Sequence, residues 1–175
     1  RAIIAQEFTV ENVARVSEAT AKWLIKIQKN PIVIVGHDCR FAGELFAETV
    51  AKVLLHEGIP VKMSKGFVST PMISLAANHL DCGLGIILTA SHNPKQWNAL
   101  KLLNEKGEFI SDADGKEVLE IAENADFAFA DVNDLGKVVA NDTYLQKHID
   151  AILKYPLVNA KAIAKQDFNV VVDAI

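Results

Sequence analysis

The chain has 175 residues, enough for one domain with a sizeable core or for a domain and part of another. Half of its residues are hydrophobic and 23% are charged, and a net charge of −4 without a basic stripe argues against a nucleic-acid surface. No apolar run approaches the roughly 20 residues that a membrane span needs, and two cysteines are too few for a disulfide framework.

The beginning of the chain shows no signal peptide, and it starts at Arg1 rather than at a methionine. We interpret Cys39 and Cys82 as reduced residues, because neither has a cysteine or histidine nearby at zinc-ligand spacing. We therefore expect a cytoplasmic protein, and we expect this chain to be a fragment of a longer one.

The first part of the chain alternates predicted helices with buried strands. Apolar residues at three-to-four spacing predict helices, and uninterrupted β-branched runs predict strands that are covered on both faces. In chain order the elements are a helix with Thr9 as its N-cap, a strand at 32–35, a loop at 36–40, a helix at 43–57 and a strand at 61–63.

The same alternation continues through the middle of the chain. The predicted elements are a helix opening at Thr70-Pro71, a strand at 83–89, a hairpin made of 99–103 and 108–110, and a helix at 112–124. Strands that alternate with helices predict a layered α/β/α domain with a mixed, largely parallel sheet and an antiparallel edge.

Beyond this domain the pattern loosens at 125–141 and then recovers as an amphipathic helix that closes at Tyr155-Pro156. A fresh β-rich run at 168–173 is typical of a strand. We interpret the chain as a first domain at 1–140, a connecting helical segment at 141–166, and the first strand of an incomplete second domain at 167–175.

The segment Thr89-Ala90-Ser91-His92-Asn93-Pro94 stands where an apolar strand runs out into a turn. One interpretation is an ordinary strand exit, since Ser and Asn are common turn residues. The other is a functional loop, in which a rigid strand displays the Ser91 hydroxyl beside the His92 imidazole. That loop would lie at the carboxyl edge of the sheet, where open α/β sheets bind ligands.

Together with four further segments, this hexapeptide resembles the phosphoserine loop of the α-D-phosphohexomutases, which include phosphoglucomutases, phosphomannomutases and phosphoglucosamine mutases. The four segments follow in the family's order: Arg1 as the last residue of Gly-Thr-Ser-Gly-x-Arg, Gly36-His37-Asp38-Cys39-Arg40 as Gly-x-Asp-x-Arg, Thr70-Pro71, and Asn98 with Lys101 as the ends of Asn-Gly-x-Lys. Ala99 departs from the pattern, which usually has glycine there. Because the residues after it are predicted as a strand, we expect ordinary β geometry at Ala99.

The resemblance implies an intramolecular phosphotransferase that interconverts hexose 1-phosphate and hexose 6-phosphate. The phosphoryl group would be carried on Ser91, and the reaction would pass through a bisphosphate intermediate. The resemblance also implies acid/base roles for Arg1 and Lys101, with His92 as a further cationic neighbour. Plainer roles stay open: Lys101 as an outward hairpin residue, Arg1 as a terminal residue, and His92 as a residue that only orients the loop.

Asp38 and Arg40 are expected to brace the active-site loops by pairing rather than to touch the sugar. The resemblance further implies Mg²⁺, bound through a phosphate oxygen on Ser91 and through an Asp-Gly-Asp-x-Asp-Arg loop of a second domain, a string that this sequence lacks. We therefore expect hexose phosphate as the substrate, the remaining domains of the full-length chain as partners, and an inactive isolated chain.

Two functions of other classes stay open at this point. A non-catalytic sugar-phosphate-binding relative would keep the serine loop without turnover. A flavodoxin-like binding domain would take a flavin or a nucleotide, and the hexapeptide would then be accidental.

Overall fold

The computed structural model describes residues 1–124, 126–128, 138 and 140–173, so that most of the loosened pattern at 125–141 lies outside the described residues. The strands are β1 (Ala2–Ile3), β2 (Val33–His37), β3 (Val61–Phe67), β4 (Leu84–Leu88), β5 (Trp97–Asn98), β6 (Leu100–Leu103) and β7 (Ala140–Asn141). The helices are α1 (Val10–Ile27), α2 (Gly43–His56), α3 (Thr70–His79), α4 (Asp112–Asn124), α5 (Tyr144–Lys154) and α6 (Ala160–Ala164).

Five of the strands form one sheet in the order β6-β4-β2-β3-β7. Strand β2 pairs in parallel with β3 and β4, β7 pairs in parallel with β3, and β6 runs antiparallel to β4. The mixed, largely parallel sheet is therefore confirmed. Since β2, β3 and β4 are parallel, the loops that follow them open at the same carboxyl edge.

The two faces of the sheet are covered by different helices. Val33 and Val35 of β2 belong to the apolar cluster shared with α1, α2 and α4, whereas Ile34 belongs to the cluster of α3 and the start of α5. Both clusters bury their members, which explains why the central strands are apolar on both faces. The predicted α/β/α layering is confirmed.

Several elements end elsewhere than predicted. Strand β2 continues to His37, which is buried, so this histidine belongs to the strand and not to the loop after it. Helix α3 begins at Thr70 itself, with Ser69 at the N-cap position, because the backbone is already helical at Thr70. Thr9 caps α1 as predicted, and its Oγ1 accepts a hydrogen bond from the Asn12 N–H at 3.2 Å.

The predicted hairpin is wrong in its second arm. Residues 108–110 contribute only an isolated bridge between Phe109 and Leu103, with bonds from the Asn104 N–H to the Glu108 carbonyl at 2.7 Å and from the Ile110 N–H to the Leu102 carbonyl at 3.1 Å. Helix α4 begins at Asp112, so the chain leaves the edge of β6 before a longer ladder can form. The pairing of β5 with β1, and that of β7 with β3, join segments too short to be recognised from their sequence.

Residues 168–172 form no strand in this structure, and their apolar side chains Phe168, Val170, Val171 and Val172 are exposed. A β-rich run becomes a stable strand only against other strands or a helix. The assignment of 167–175 to a second domain, like the boundaries at 140 and 166, stays a prediction.

Helix α5 packs against α3, with its first residue, Tyr144, buried and with His148 and Ala151 half-buried. Tyr144 is buried in the same cluster as Cys82 and the residues of α3. The other large apolar side chains of this helix are exposed, namely Leu145, Ile149, Ile152 and Leu153. Within the described part of the chain, no helix is both long enough and apolar enough to cross a membrane.

Candidate active site

Ser91 stands exposed at the carboxyl edge of the sheet, three residues after the end of the fully buried strand β4. Thr89 and Ala90 are still buried, so the chain reaches the surface only at the serine. The backbone of Ser91 has a φ of +57°, in the left-handed region that residues other than glycine adopt uncommonly. The sharp turn at Ser91 thus separates its side chain from the core that holds the strand.

Hydrogen bonds within residues 89–94, called the serine loop from here on, close this turn. The Ser91 N–H donates to Thr89 Oγ1 at 3.0 Å. The Ala90 carbonyl accepts from the Asn93 N–H at 3.0 Å and from Asn93 Nδ2 at 2.7 Å. These bonds account for the Thr and Asn of the hexapeptide as turn-forming residues, and they also fix the amide side of Ser91.

The guanidinium of Arg40 holds the carbonyl side of the same loop. Its Nη2 donates to the carbonyls of Ser91 at 2.7 Å and Asn93 at 2.6 Å. Its Nη1 donates to the carbonyls of Pro94 at 3.0 Å and Trp97 at 2.9 Å. The Arg40 side chain is only 11% exposed. Sequence reasoning missed these contacts, because backbone carbonyls leave no trace in a side-chain pattern.

Asp38 connects Arg40 to the sheet. The Asp38 N–H donates to the carbonyl of Leu88, the last residue of β4, at 3.1 Å. Its Oδ1 accepts from the Arg40 N–H at 3.0 Å, and its Oδ2 lies 3.5 Å from Arg40 Nε, an ion-pair distance without a hydrogen bond. The predicted pairing of Asp38 with Arg40 is therefore present. Together the two residues brace the serine loop from the end of β2.

His92 is exposed, and its Nδ1 lies 3.4 Å from Ser91 Oγ. The distance is long for a hydrogen bond, but it places the imidazole beside the hydroxyl, as the sequence predicted. A protonated imidazole there could neutralise part of the charge of a phosphoryl group on Ser91.

Arg1 and Lys101 both line one cavity. Lys101 is opposite Ile87 in the antiparallel pairing of β6 with β4, and its Nζ is 5.8 Å from the centre of the Phe109 ring. The cavity has a volume of about 420 Å³ and is bounded by α1, α4 and β6. Among the described residues that line this cavity, neither Ser91 nor His92 occurs. The structure thus forms two groups, Ser91 with His92 and Arg1 with Lys101, and their catalytic roles stay predictions.

Asn98 and Ala99 connect the end of β5 to the start of the serine loop. Asn98 is completely buried, and its Oδ1 accepts from the Ala99 N–H at 2.8 Å. The Ala99 carbonyl accepts from the Thr89 N–H at 3.0 Å, which fastens the start of the serine loop. Ala99 has no positive φ, so the left-handed conformation that would favour glycine at this position is absent, although Ala99 itself lies between β5 and β6 and not in a strand.

No group of three or more His, Cys, Asp or Glu side chains that could hold a metal ion occurs among the described residues. What the arrangement offers chemically is one exposed hydroxyl on a fixed backbone, with a neighbouring imidazole. Such a hydroxyl can carry a covalent group.

Comparisons with known proteins agree with this geometry. Residues 1–129 match the family model described as phosphoglucomutase/phosphomannomutase, alpha/beta/alpha domain I. The chain is 33% identical over 174 residues, or 99% of its length, to a phosphoglucomutase/phosphomannomutase of Thermococcus kodakarensis, of which it covers 37%. It is 35% identical over 140 residues, or 80% of its length, to a phosphoglucosamine mutase of Methanococcus maripaludis, of which it covers 29%.

Solved structures show the same likeness. A phosphomannomutase-type protein of Thermus thermophilus aligns over 81% of this chain and 31% of its own, with 32% identity and a TM-score of 0.74. A protein of Burkholderia thailandensis, 20% identical, shares the fold with a TM-score of 0.72, over 88% of this chain and 34% of its own. The chain spans 18–37% of the length of the curated relatives first compared with it.

Proposed function

The chain belongs to the phosphoglucomutase/phosphomannomutase family, the α-D-phosphohexomutases, and we propose that its whole protein interconverts hexose 1-phosphate and hexose 6-phosphate. In this proposal Ser91 carries the phosphoryl group between turnovers. The observation that carries the proposal is the exposed Ser91 hydroxyl, set on a braced backbone within the part of the chain that matches domain I of the family.

The chemistry follows from the residue types. A serine hydroxyl is a weak nucleophile by itself, but as a phosphoserine it is a phosphoryl donor. In the first transfer, the Oγ–P bond of Ser91 breaks and a bond forms between phosphorus and a sugar hydroxyl oxygen. The hydroxyl proton passes to a general base, and the Ser91 oxygen takes up a proton. The resulting bisphosphate turns around and returns its other phosphoryl group to Ser91 by the reverse steps.

The cations of the site have distinct parts in this proposal. His92, 3.4 Å from Ser91 Oγ, neutralises charge on the phosphoryl oxygens when it is protonated. Lys101 and Arg1 are the candidates for proton transfer, an effect worth about 10²–10⁴ in rate. Both line the cavity bounded by α1, α4 and β6, whose described lining includes neither Ser91 nor His92.

Mg²⁺ is implied by the family, but the described residues fit such a site only in part. A phosphate oxygen on Ser91 would supply one hard ligand of the kind that Mg²⁺ prefers. No cluster of carboxylates accompanies it in the described part of the chain. We propose that the other ligands come from the remaining domains of the whole protein, where bound Mg²⁺ would neutralise charge on the phosphate.

The test uses the full-length protein, its Ser91→Ala variant and a Ser111→Ala control, which removes an exposed hydroxyl at the start of α4. Intact mass and peptide mapping should find phosphate on Ser91, and turnover of glucose, mannose or glucosamine 1-phosphate should be abolished in Ser91→Ala and kept in Ser111→Ala. A protein that binds these sugar phosphates without phosphate on Ser91 and without turnover would instead be a non-catalytic binding relative.

The isolated 175-residue chain should show no measurable turnover of glucose 1-phosphate. It lacks a full set of metal ligands among its described residues, and it spans 18–37% of the relatives compared. Measurable turnover of glucose 1-phosphate by this chain would overturn that part of the proposal.

A further inference from the structure

We propose that Arg40 is a positioning residue for phosphoryl transfer, which acts on the backbone of Ser91 and does not touch the sugar or its phosphate. This inference rests on the proposed function, since it concerns the rate at which Ser91 passes on its phosphoryl group. The supporting observation is that the Arg40 guanidinium donates hydrogen bonds to four backbone carbonyls.

All terminal N–H donors of the Arg40 guanidinium are occupied by backbone carbonyls. Its two terminal nitrogens carry four N–H bonds, and each is matched by one carbonyl of the Ser91–Trp97 segment at 2.6–3.0 Å. Its Nε faces the Asp38 carboxylate at 3.5 Å. No terminal N–H is left over for a phosphate, so the usual role of an arginine beside a phosphoryl group does not apply to Arg40.

The backbone of Ser91 has a left-handed conformation, with a φ of +57°. A left-handed φ is strained at a residue with a Cβ, and it persists only where the surroundings hold it. Thr89 Oγ1 holds the Ser91 N–H at 3.0 Å, and Arg40 Nη2 holds the Ser91 carbonyl at 2.7 Å. Because both peptide groups that flank the Cα are fixed, the direction of the Cα–Cβ bond is fixed as well. The hydroxyl can then move only by rotation about that bond.

Arg40 and Asp38 carry opposite charges at this loop. The Asp38 carboxylate faces the guanidinium, so the braced loop gains little net charge from Arg40. A lysine at the same place would keep the positive charge but would lose the planar fork that spans four carbonyls. Replacement of Arg40 by lysine therefore separates a geometric role from an electrostatic one.

The experiment compares full-length Arg40→Lys with the wild-type protein and with Arg15→Lys, the same substitution on α1. Each protein is charged with phosphate on Ser91 and mixed with excess glucose 1-phosphate in a single-turnover, rapid-quench measurement. Misplacement of a reacting group by about 1 Å can cost about 10²-fold in rate. We expect the transfer rate constant of Arg40→Lys to fall roughly 10- to 100-fold at full amplitude, and Arg15→Lys to match the wild type.

Rate and amplitude distinguish positioning from mere stability. Partial unfolding would lower the amplitude and leave the rate constant of the folded fraction unchanged, which would overturn the proposal. A wild-type rate constant in Arg40→Lys would overturn it as well. If Arg40→Lys does not fold, Asp38→Asn gives the same readout, with a smaller fall in rate constant at full amplitude expected, and an unchanged rate constant counting against the proposal. A wild-type protein that neither keeps phosphate on Ser91 nor transfers it contradicts the proposed function instead.

Discussion

The loops around Ser91 and the segment at 144–173 differ in how they are connected to the rest of the chain. Around Ser91, the Arg40 side chain, which follows β2, bonds to backbone carbonyls more than fifty positions later in the chain. In the segment at 144–173, Tyr144 is buried, whereas most of the large apolar side chains that follow it are exposed. The backbone of Ser91 is thus held by hydrogen bonds within the described residues, whereas most apolar side chains of the later segment have no partner surface among them.

The largest expected effect is a difference in the free energy of unfolding when a leucine of each region is replaced by alanine. Leu88, at the end of β4, is completely buried, and Leu145, on α5, is 53% exposed. We expect Leu88→Ala to lower the free energy of unfolding by about 2–5 kcal/mol, and Leu145→Ala to change it by less than about 0.5 kcal/mol. Urea denaturation followed by circular dichroism measures both, and equal losses would contradict the comparison.

A smaller effect is expected at the junction of the two regions. Tyr144 is 8% exposed and packs in the cluster of α3, whereas Tyr155, just after α5, is 59% exposed. Tyr144→Ala should loosen α5 by roughly 2 kcal/mol, the value of burying one large apolar side chain, and Tyr155→Ala should not. Limited proteolysis of 145–154 measures this loosening. Equal cleavage of the two variants would show that Tyr144 does not anchor the helix.

The smallest effect is a dependence on alkaline pH. Burial raises the pKa of the Cys82 thiol, and burial together with the negative charge of an ionised Cys82 raises the pKa of the Tyr144 phenol. Both groups hold their protons more tightly in the folded chain than in the unfolded one. The stability that the neutral forms provide is therefore complete below the ordinary pKa values, 9.0 and 10.0, and is lost as the pH rises through the raised values.

Cys82→Ala should make the decline of the melting temperature above about pH 9 shallower than in the wild type. Cys39→Ala, at an exposed cysteine, is the matched control and should leave the decline unchanged. A decline that is the same in all three proteins would exclude the Cys82 thiol as its source.

The sequence predicted the layers well because its apolar runs are long and lie within one element each. The run at 84–88 and the alternation of helices with strands suffice for the α/β/α sheet. Short pairings escaped, because β5 and β7 have two residues each, which is too few for a pattern. The second hairpin arm failed for a related reason, since the start of α4 at Asp112 draws the chain away from β6.

The candidate site was predicted in its residue types but not in its internal bonds. Ser91 and His92 lie side by side as predicted, because both follow from one short motif. The pairing of Asp38 with Arg40 was also predicted, since opposite charges two positions apart in a loop favour it. The four carbonyls on Arg40 could not be predicted, because they belong to the backbone of a distant segment whose fold must be known first.

Arg40 and the four carbonyls that it binds are far apart in the sequence, and they are therefore synthesised at different times. The guanidinium is synthesised 51–57 residues before the carbonyls of Ser91, Asn93, Pro94 and Trp97 that it holds. At about 5–20 residues per second, Arg40 waits roughly 3–11 s on the growing chain before its partners exist. Ser91 therefore leaves the ribosome with its hydroxyl but without its geometry, and it acquires that geometry only when β2 and β4 have come together.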